Sequence, residues 1–559
     1  MFNISFTRKK PLTPLSNLKS ISSWMDNLSL RDVYEAHAEV SQKLAEFNES
    51  LDFTAERLKV LMFLDESSLE LQDSLRKQYL RNPRMSKSTE NKLWEANRFF
   101  CWNMTKAYHG FVMDYVTHPE ANAWQTLLHL VCARALYHFA LEAKWHYYRY
   151  LAAEARMWKH MHNLYRFAEF QEFQNQPIKL YESSHMTTTC GNIYVRALML
   201  EKLHTGTLYP RQLELAEQWL AAWSADMILE SRYADNRHGF YVNLNEDRGA
   251  KRVRNYQRDP MKRYWSTKGL TDTLLRHKSG LQSGDPQARI QLGEDCKLPS
   301  CFSLLDSVIA AWAQEGVPRV PRKHNRVVTK KIVEIVYGFT EIHDCIQEDT
   351  ELLNGRRDVP VSYDEMLDVK IYGFITRRTI TRRTHPRLGG EIRPRRSERW
   401  IMENESEGGF GALITEQAND WLRLGKLVGL KMEKQSRWMI AVIRRLKRIH
   451  AEQFYVGVEV LSRAPLALEL KEFPAQRQVE RSAVPSMRGP ALPFYSLYIA
   501  KDETANRGAS LVMPSQEFLK GRTLELATRN KAYRIALNEM IEKGDDWTRG
   551  SMEVLGVIT

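Results

Sequence analysis

The chain has 559 residues, too many for one hydrophobic core, so two to four domains are expected. A hydrophobic content of 43%, with plentiful Trp and Tyr, excludes a disordered chain, and no run of about 18 apolar residues is present to cross a membrane. The formal charge of +13 points to anionic partners, such as nucleotides, nucleic acid or acidic lipid headgroups, without choosing among them.

Residues 1–25 read as a basic N-terminal extension without the apolar stretch of a signal peptide, so a cytoplasmic location is expected. Six scattered cysteines (Cys101, Cys132, Cys190, Cys296, Cys301, Cys345) fit reduced thiols better than a disulfide framework. Cys296 and Cys301 are close, but no second Cys or His pair follows at a zinc-like interval, and no metal site is expected.

Residues 26–350 carry a helical pattern. Ser29 and Asp32 read as a capping box before a helix bearing Val33, Val40 and Leu44. Apolar-periodic segments follow at 53–80 and 90–115. Thr117 and Glu120, with Pro119 between them, are expected to cap one long aromatic-rich helix over 120–170. Its stripe from Trp124 to Trp158 reads as packed core, and His138, His146, His160 and His162 as core or surface imidazoles rather than metal ligands. Further helices are predicted at 188–203, 210–224, 300–316 and 326–345, with a strand through Phe240, Val242 and Leu244 and a short helix over Thr271–His277. Short breaks between helices imply an all-α bundle or a short solenoid, although no fixed-period repeat is present.

After about residue 365 the period changes from 3.6 to 2. The first strand of this region is expected at Asp368–Ile375. Trp438, Ile440 and Val442 share one strand face, and Phe454, Val456, Val458 and Val460 share another. Such spacing predicts an antiparallel β-barrel over 365–468, and a similar pattern over 490–559 predicts a second small β-unit.

One segment concentrates chemistry. Trp400 to Gly411 reads as strand, polar turn and strand, with Asn404 and Ser406 offering short hydrogen-bonding side chains and Gly408–Gly409 allowing close backbone approach. Ahead of it lies an arginine-rich run from Arg377 to Arg399, and guanidinium groups suit phosphates and the O6/N7 edge of guanine.

Arg378-Thr-Ile-Thr-Arg382 followed by Asn404-Glu-Ser406-Glu-Gly-Gly409 resembles the paired R-x-x-x-R and [DN]-x-S-x-x-G motifs of the PilZ family. The strands Trp438–Arg445 and Tyr455–Ser462 are similar to that family's barrel in their order. The resemblance implies a cyclic di-GMP-binding barrel fused behind a helical domain. Arg378 and Arg382 would clamp the ligand, and Asn404, Ser406 and Gly409 would cradle it.

No Walker-type loop, Gly-x-Ser-x-Gly, paired-His zinc helix or dinucleotide fingerprint is found, so no catalytic residue and no cofactor is nominated. The expected activity is therefore that of a non-enzymatic effector, in which ligand binding is transmitted to an unidentified protein partner through the helical domain. The alternative is a degenerate PilZ scaffold acting by protein–protein interaction alone. Without a recognised nucleic-acid motif, nucleic acid is not an expected partner.

Overall fold

The structure, a computed structural model, describes residues 14–28, 32–50, 52–82, 85–119, 123–204, 206–296, 300–315, 325–353, 396–415, 421–433, 435, 437–450, 453–472, 493–501, 508–527 and 532–558. The chain divides into two compact units, Met1–Val320 and Pro321–Thr559.

The first unit is mainly helical: α1 (Leu18–Leu28), α2 (Val33–Phe47), α3 (Ala55–Ser67), α4 (Leu69–Arg81), α5 (Lys87–Thr117), α6 (Leu128–Tyr148), α7 (Ala155–Phe170), α8 (Cys190–Glu201) and α9 (Pro210–Trp223). A small antiparallel sheet, β1 (Phe240–Asn243), β2 (Lys251–Arg252) and β3 (Lys262–Trp265), precedes α10 (Lys268–Ser283), α11 (Pro286–Leu292) and α12 (Ser300–Trp312). Side-chain caps fix several helix starts. Asp32 accepts from the Tyr34 and Glu35 amides, and Thr54, Ser86 and Thr189 act likewise on α3, α5 and α8.

α6 is buried on nearly every face, as expected of a helix that is apolar all round, and α5, α7 and α8 pack against it. Trp124, Trp145, Tyr147, Tyr148, Trp158 and Tyr165 lie in this core, as their spacing predicts. The single helix expected over 120–170 is instead two. α6 ends where Tyr150 turns left-handed (φ 61°) and the Leu151 amide reaches back 3.0 Å to the His146 carbonyl, a C-terminal cap usually filled by glycine. Thr117 does not cap this helix; it closes α5, and its hydroxyl donates to the Met113 carbonyl. Residues 53–80 likewise split into α3 and α4 at the buried Ser68.

The core also holds charge. Asp65, Arg134 and His138 are each 1% exposed. His138 Nε2–H donates to Asp65 (3.1 Å), Tyr108 donates to the same carboxylate (2.9 Å), and Arg134 Nε–H donates to the Leu180 carbonyl (3.0 Å). Burial pushes the Asp65 carboxyl up, but His138 and Arg134 outweigh it and hold the group below its ordinary range. Cys296 and Cys301, expected as free thiols, are paired as a disulfide, while Cys101, Cys132, Cys190 and Cys345 are free and buried.

The second unit begins with β4 (Val327–Tyr337) and α13 (Phe339–Leu353), which corrects the helix expected over 326–345 and starts the β-region ahead of residue 365. Val327, Val328, Ile332, Val333, Ile335 and Val336 are β-branched and favour a pleated surface, although their spacing also fits a helix face. The expected strand at Asp368–Ile375 lies outside the described residues. The remaining strands are β5 (Ser397–Ser406), β6 (Gly409–Thr415), β7 (Leu427–Met432), β8 (Met439–His450), β9 (Gln453–Ser462), β10 (Leu466–Glu472), β11 (Phe494–Ile499), β12 (Ser510–Pro514), β13 (Thr523–Ala527), β14 (Ala532–Lys543) and β15 (Trp547–Ile558).

They form two closed antiparallel barrels, β4-β5-β6-β9-β8-β7 and β10-β11-β12-β15-β14-β13. The barrels are not independent. Ile342, Cys345 and Ile346 of α13 join Leu427, Ile440 and Val442 of the first barrel and Leu497, Val512 and Trp547 of the second in one hydrophobic cluster. Trp547 is fully buried there, its Nε1–H donating to the Gly425 carbonyl at 2.8 Å.

Candidate functional site

The site is built on the hairpin that joins β5 to β6. Ser406 and Gly409 are its last cross-strand pair, so Glu407 and Gly408 form a two-residue turn. The Ser406 hydroxyl donates to the Gly409 carbonyl at 3.0 Å, drawing the turn closed. Gly409 is required by proximity: a Cβ there would stand 2.0 Å from the Val458 carbonyl oxygen of β9.

Three further bonds tie the turn down. The Val460 amide donates to the Gly408 carbonyl (3.0 Å), and Arg463 donates to the Glu407 carbonyl (2.7 Å). On the opposite side, Lys331 of β4 pairs with Glu405 at 2.6 Å.

Asn404 lies on β5 just past a register shift between Met402 and itself. Its Nδ2–H donates to the Tyr455 hydroxyl of β9 at 3.0 Å, and its Oδ1 is buried without a hydrogen-bond partner. An unsatisfied buried amide oxygen costs about 1–3 kcal/mol. Any bound group that brings a donor to it recovers part of that cost.

Asn404, Ser406 and Gly409, singled out from the sequence, are thus gathered on one hairpin. Arg378 and Arg382 lie outside the described residues. Tyr455, Gly411, Arg463 and Lys331 were not nominated as site residues. Tyr455 appears in sequence only as an alternating position of its strand, and nothing local reveals that the antiparallel register sets it against a residue 51 positions earlier.

The histidines of the helical unit have other tasks. His162, buried, faces the Arg248 carbonyl through Nε2 (3.0 Å), so that nitrogen carries the proton and Nδ1 accepts from the Tyr194 hydroxyl (2.5 Å). Burial lowers its pKa to about 4, which matches a neutral ring. Among the described residues, no group of three or more His, Cys, Asp or Glu side chains could hold a metal ion. No helix among them is long and apolar enough to cross a membrane.

Beneath the turn, Glu459 of β9 stands opposite Gly409 and accepts from Arg444 of β8 at 2.7 Å. Burial alone would lower the Arg444 pKa, but Glu542 and Glu459 raise it above its ordinary value.

Comparison with known proteins gives two matches. Residues 19–235 match the N-terminal domain of the cyclic-di-GMP receptor FimW, and residues 391–467 match the middle PilZ domain of the same receptor. The second match covers the whole hairpin and the strand bearing Tyr455. No curated protein matches the chain. With both regions present in order and together spanning just over half of its length, the chain belongs to the cyclic-di-GMP receptor family of FimW, in which a PilZ domain follows an N-terminal domain.

Proposed function

We propose that the chain is a non-enzymatic cytoplasmic effector that binds cyclic di-GMP on its first barrel and passes that event to a protein partner through its helical domain. Asn404, Ser406 and Gly409 form the cradle, and Arg378 and Arg382 are the cationic clamp on phosphate and guanine. The observation that carries the reading is the β5–β6 hairpin: three motif residues converge, and one of them, Asn404, keeps a buried amide oxygen without a partner. Membership of a receptor family for this nucleotide supports the ligand.

Binding would change the partner's affinity only as far as the nucleotide favours one conformation over another. Titration calorimetry of the full chain with cyclic di-GMP tests the first step. Heat of binding at tens of micromolar protein, abolished by combining Arg378→Ala with Arg382→Ala, is the expected result. Absence of heat in the wild type would reject it, and unchanged affinity in the double variant would remove the arginines from the clamp. The protein step is tested by comparing pull-down from lysate with and without the nucleotide. A partner set that the nucleotide leaves unaltered would reject transmission.

A further inference from the structure

We propose that Tyr455 is a positioning residue for nucleotide selectivity, fixing the Asn404 amide so that its carbonyl end, and not its amino end, is left to address the base. The inference rests on the reading above that Asn404 meets a guanine, and it adds the residue that decides how.

Three observations converge on it. The Tyr455 hydroxyl lies 3.0 Å from Asn404 Nδ2, a side-chain bond between strands that are not neighbours in the barrel. β6 runs between them, and the bond crosses it where Gly411 offers no side chain. A Cβ on Gly411 would stand 2.0 Å from the Tyr455 oxygen and 3.1 Å from Asn404 Nδ2. Gly411 is therefore the gap through which the two side chains meet. The third observation is the remaining atom of the amide: Oδ1 is buried and accepts no hydrogen bond.

An Asn side chain offers a donor end and an acceptor end, and rotating it by half a turn exchanges them. A freely turning amide reads either kind of base edge. Guanine presents N1–H and N2–H donors on its Watson–Crick edge, whereas adenine presents an N1 acceptor and an N6–H donor. With Nδ2 held by Tyr455, the free Oδ1 suits the guanine edge and is unpaired against the adenine N1 acceptor. A site whose polar group is left unmatched by the wrong ligand discriminates more strongly than one that relies on shape.

The hydroxyl can also donate. An aspartate at 404 would accept from Tyr455 with one oxygen and keep the other for the base, so Asn404→Asp should preserve the arrangement. Removing the hydroxyl should not.

The test is titration of the full chain with cyclic di-GMP and, separately, cyclic di-AMP, on the wild type, Tyr455→Phe, Gly411→Ala and Asn404→Asp. Tyr455→Phe keeps the ring and removes only the oxygen. Gly411→Ala perturbs the same bond from the other side, so the two do not share a folding liability. Expected is a loss of about tenfold or more in the preference for cyclic di-GMP in both variants, the size of one hydrogen-bond mismatch. Asn404→Asp should stay near the wild-type ratio. A wild type that binds neither nucleotide removes the underlying reading, and this inference with it. A wild type that prefers cyclic di-GMP while Tyr455→Phe keeps both affinity and ratio overturns the inference alone. An equal drop in affinity for both nucleotides, with the ratio unchanged, also overturns it, because that is the signature of a merely structural tyrosine.

Discussion

Arg444 of the first barrel and Glu542 of the second are joined by two hydrogen bonds, and the same guanidinium holds Glu459, the residue directly opposite Gly409 of the candidate site. A continuous chain of paired groups therefore runs from the β5–β6 turn, through β9 and β8, into β14. Side chains about one-third exposed make such pairs worth only about 1 kcal/mol each in stability. Their more interesting property is connectivity. We expect Arg444→Ala and Glu542→Gln each to lower the midpoint of urea unfolding slightly, and the double variant to lower it by less than the sum. Strictly additive effects in that double-mutant cycle would show the pair is not coupled.

The shared core gives a larger prediction. Trp547 belongs to the second barrel yet packs with residues of the first and with α13. Trp547→Ala should cost about 3–5 kcal/mol. Because the cluster is common to both barrels, their denaturation should shift together as one transition. A variant in which the second barrel melts early while the first is undisturbed would contradict the shared core.

Asp65 and Arg134 make a similar statement about the helical unit. Removing one member of a buried, hydrogen-bonded charge set leaves the other uncompensated, at about 3–5 kcal/mol. Asp65→Asn should therefore destabilise this unit strongly by thermal unfolding. The folded-state pKa of Asp65 is depressed, so its contribution is present above the unfolded value and is lost as pH falls through the folded one. The gap between wild type and Asp65→Asn should thus close in acid. A gap that stays constant from neutral pH down through the carboxylate range would contradict the assignment.

Glu142 runs the other way. It is fully buried on α6, neither oxygen accepts a hydrogen bond, and its nearest paired cation, Arg156, stands 3.9 Å off. Burial raises its pKa to about 7, with Arg156 and Arg98 opposing. A raised carboxyl costs nothing while protonated in both states, so the penalty appears as pH climbs from the unfolded value through 7, reaching roughly 3 kcal/mol. Glu142→Gln should match the wild type at pH 5 and exceed it at pH 8. Equal stability at both would show that the carboxylate is solvated or paired after all.

Much of the architecture was legible in the amino-acid order, for physical reasons that also mark where legibility stopped. The aromatic spacing of Trp145, Tyr148 and Trp158 announced a packed helical core, and the alternation of Phe454, Val456 and Val458 announced a strand. Asn404, Ser406 and Gly409 could be grouped because a hairpin is local. β4 was misread because Val327, Val328, Ile332 and Val333 satisfy helical spacing as well as strand propensity, and only pairing with β5 and β7 decides between them. The break at Tyr150 was hidden because its left-handed cap is made by a residue that seldom adopts that conformation. Tyr455 and Arg444 acquire their roles from partners 51 and 98 residues away, which no local pattern encodes.

Hydrogen–deuterium exchange of the full chain, with and without saturating cyclic di-GMP, tests the central claim most directly because it locates the ligand as well as detecting it. The account predicts slowed exchange concentrated in 397–415 and 453–463, the hairpin and the strand that holds it. Nucleotide binding with protection elsewhere and none in these two segments would contradict the site.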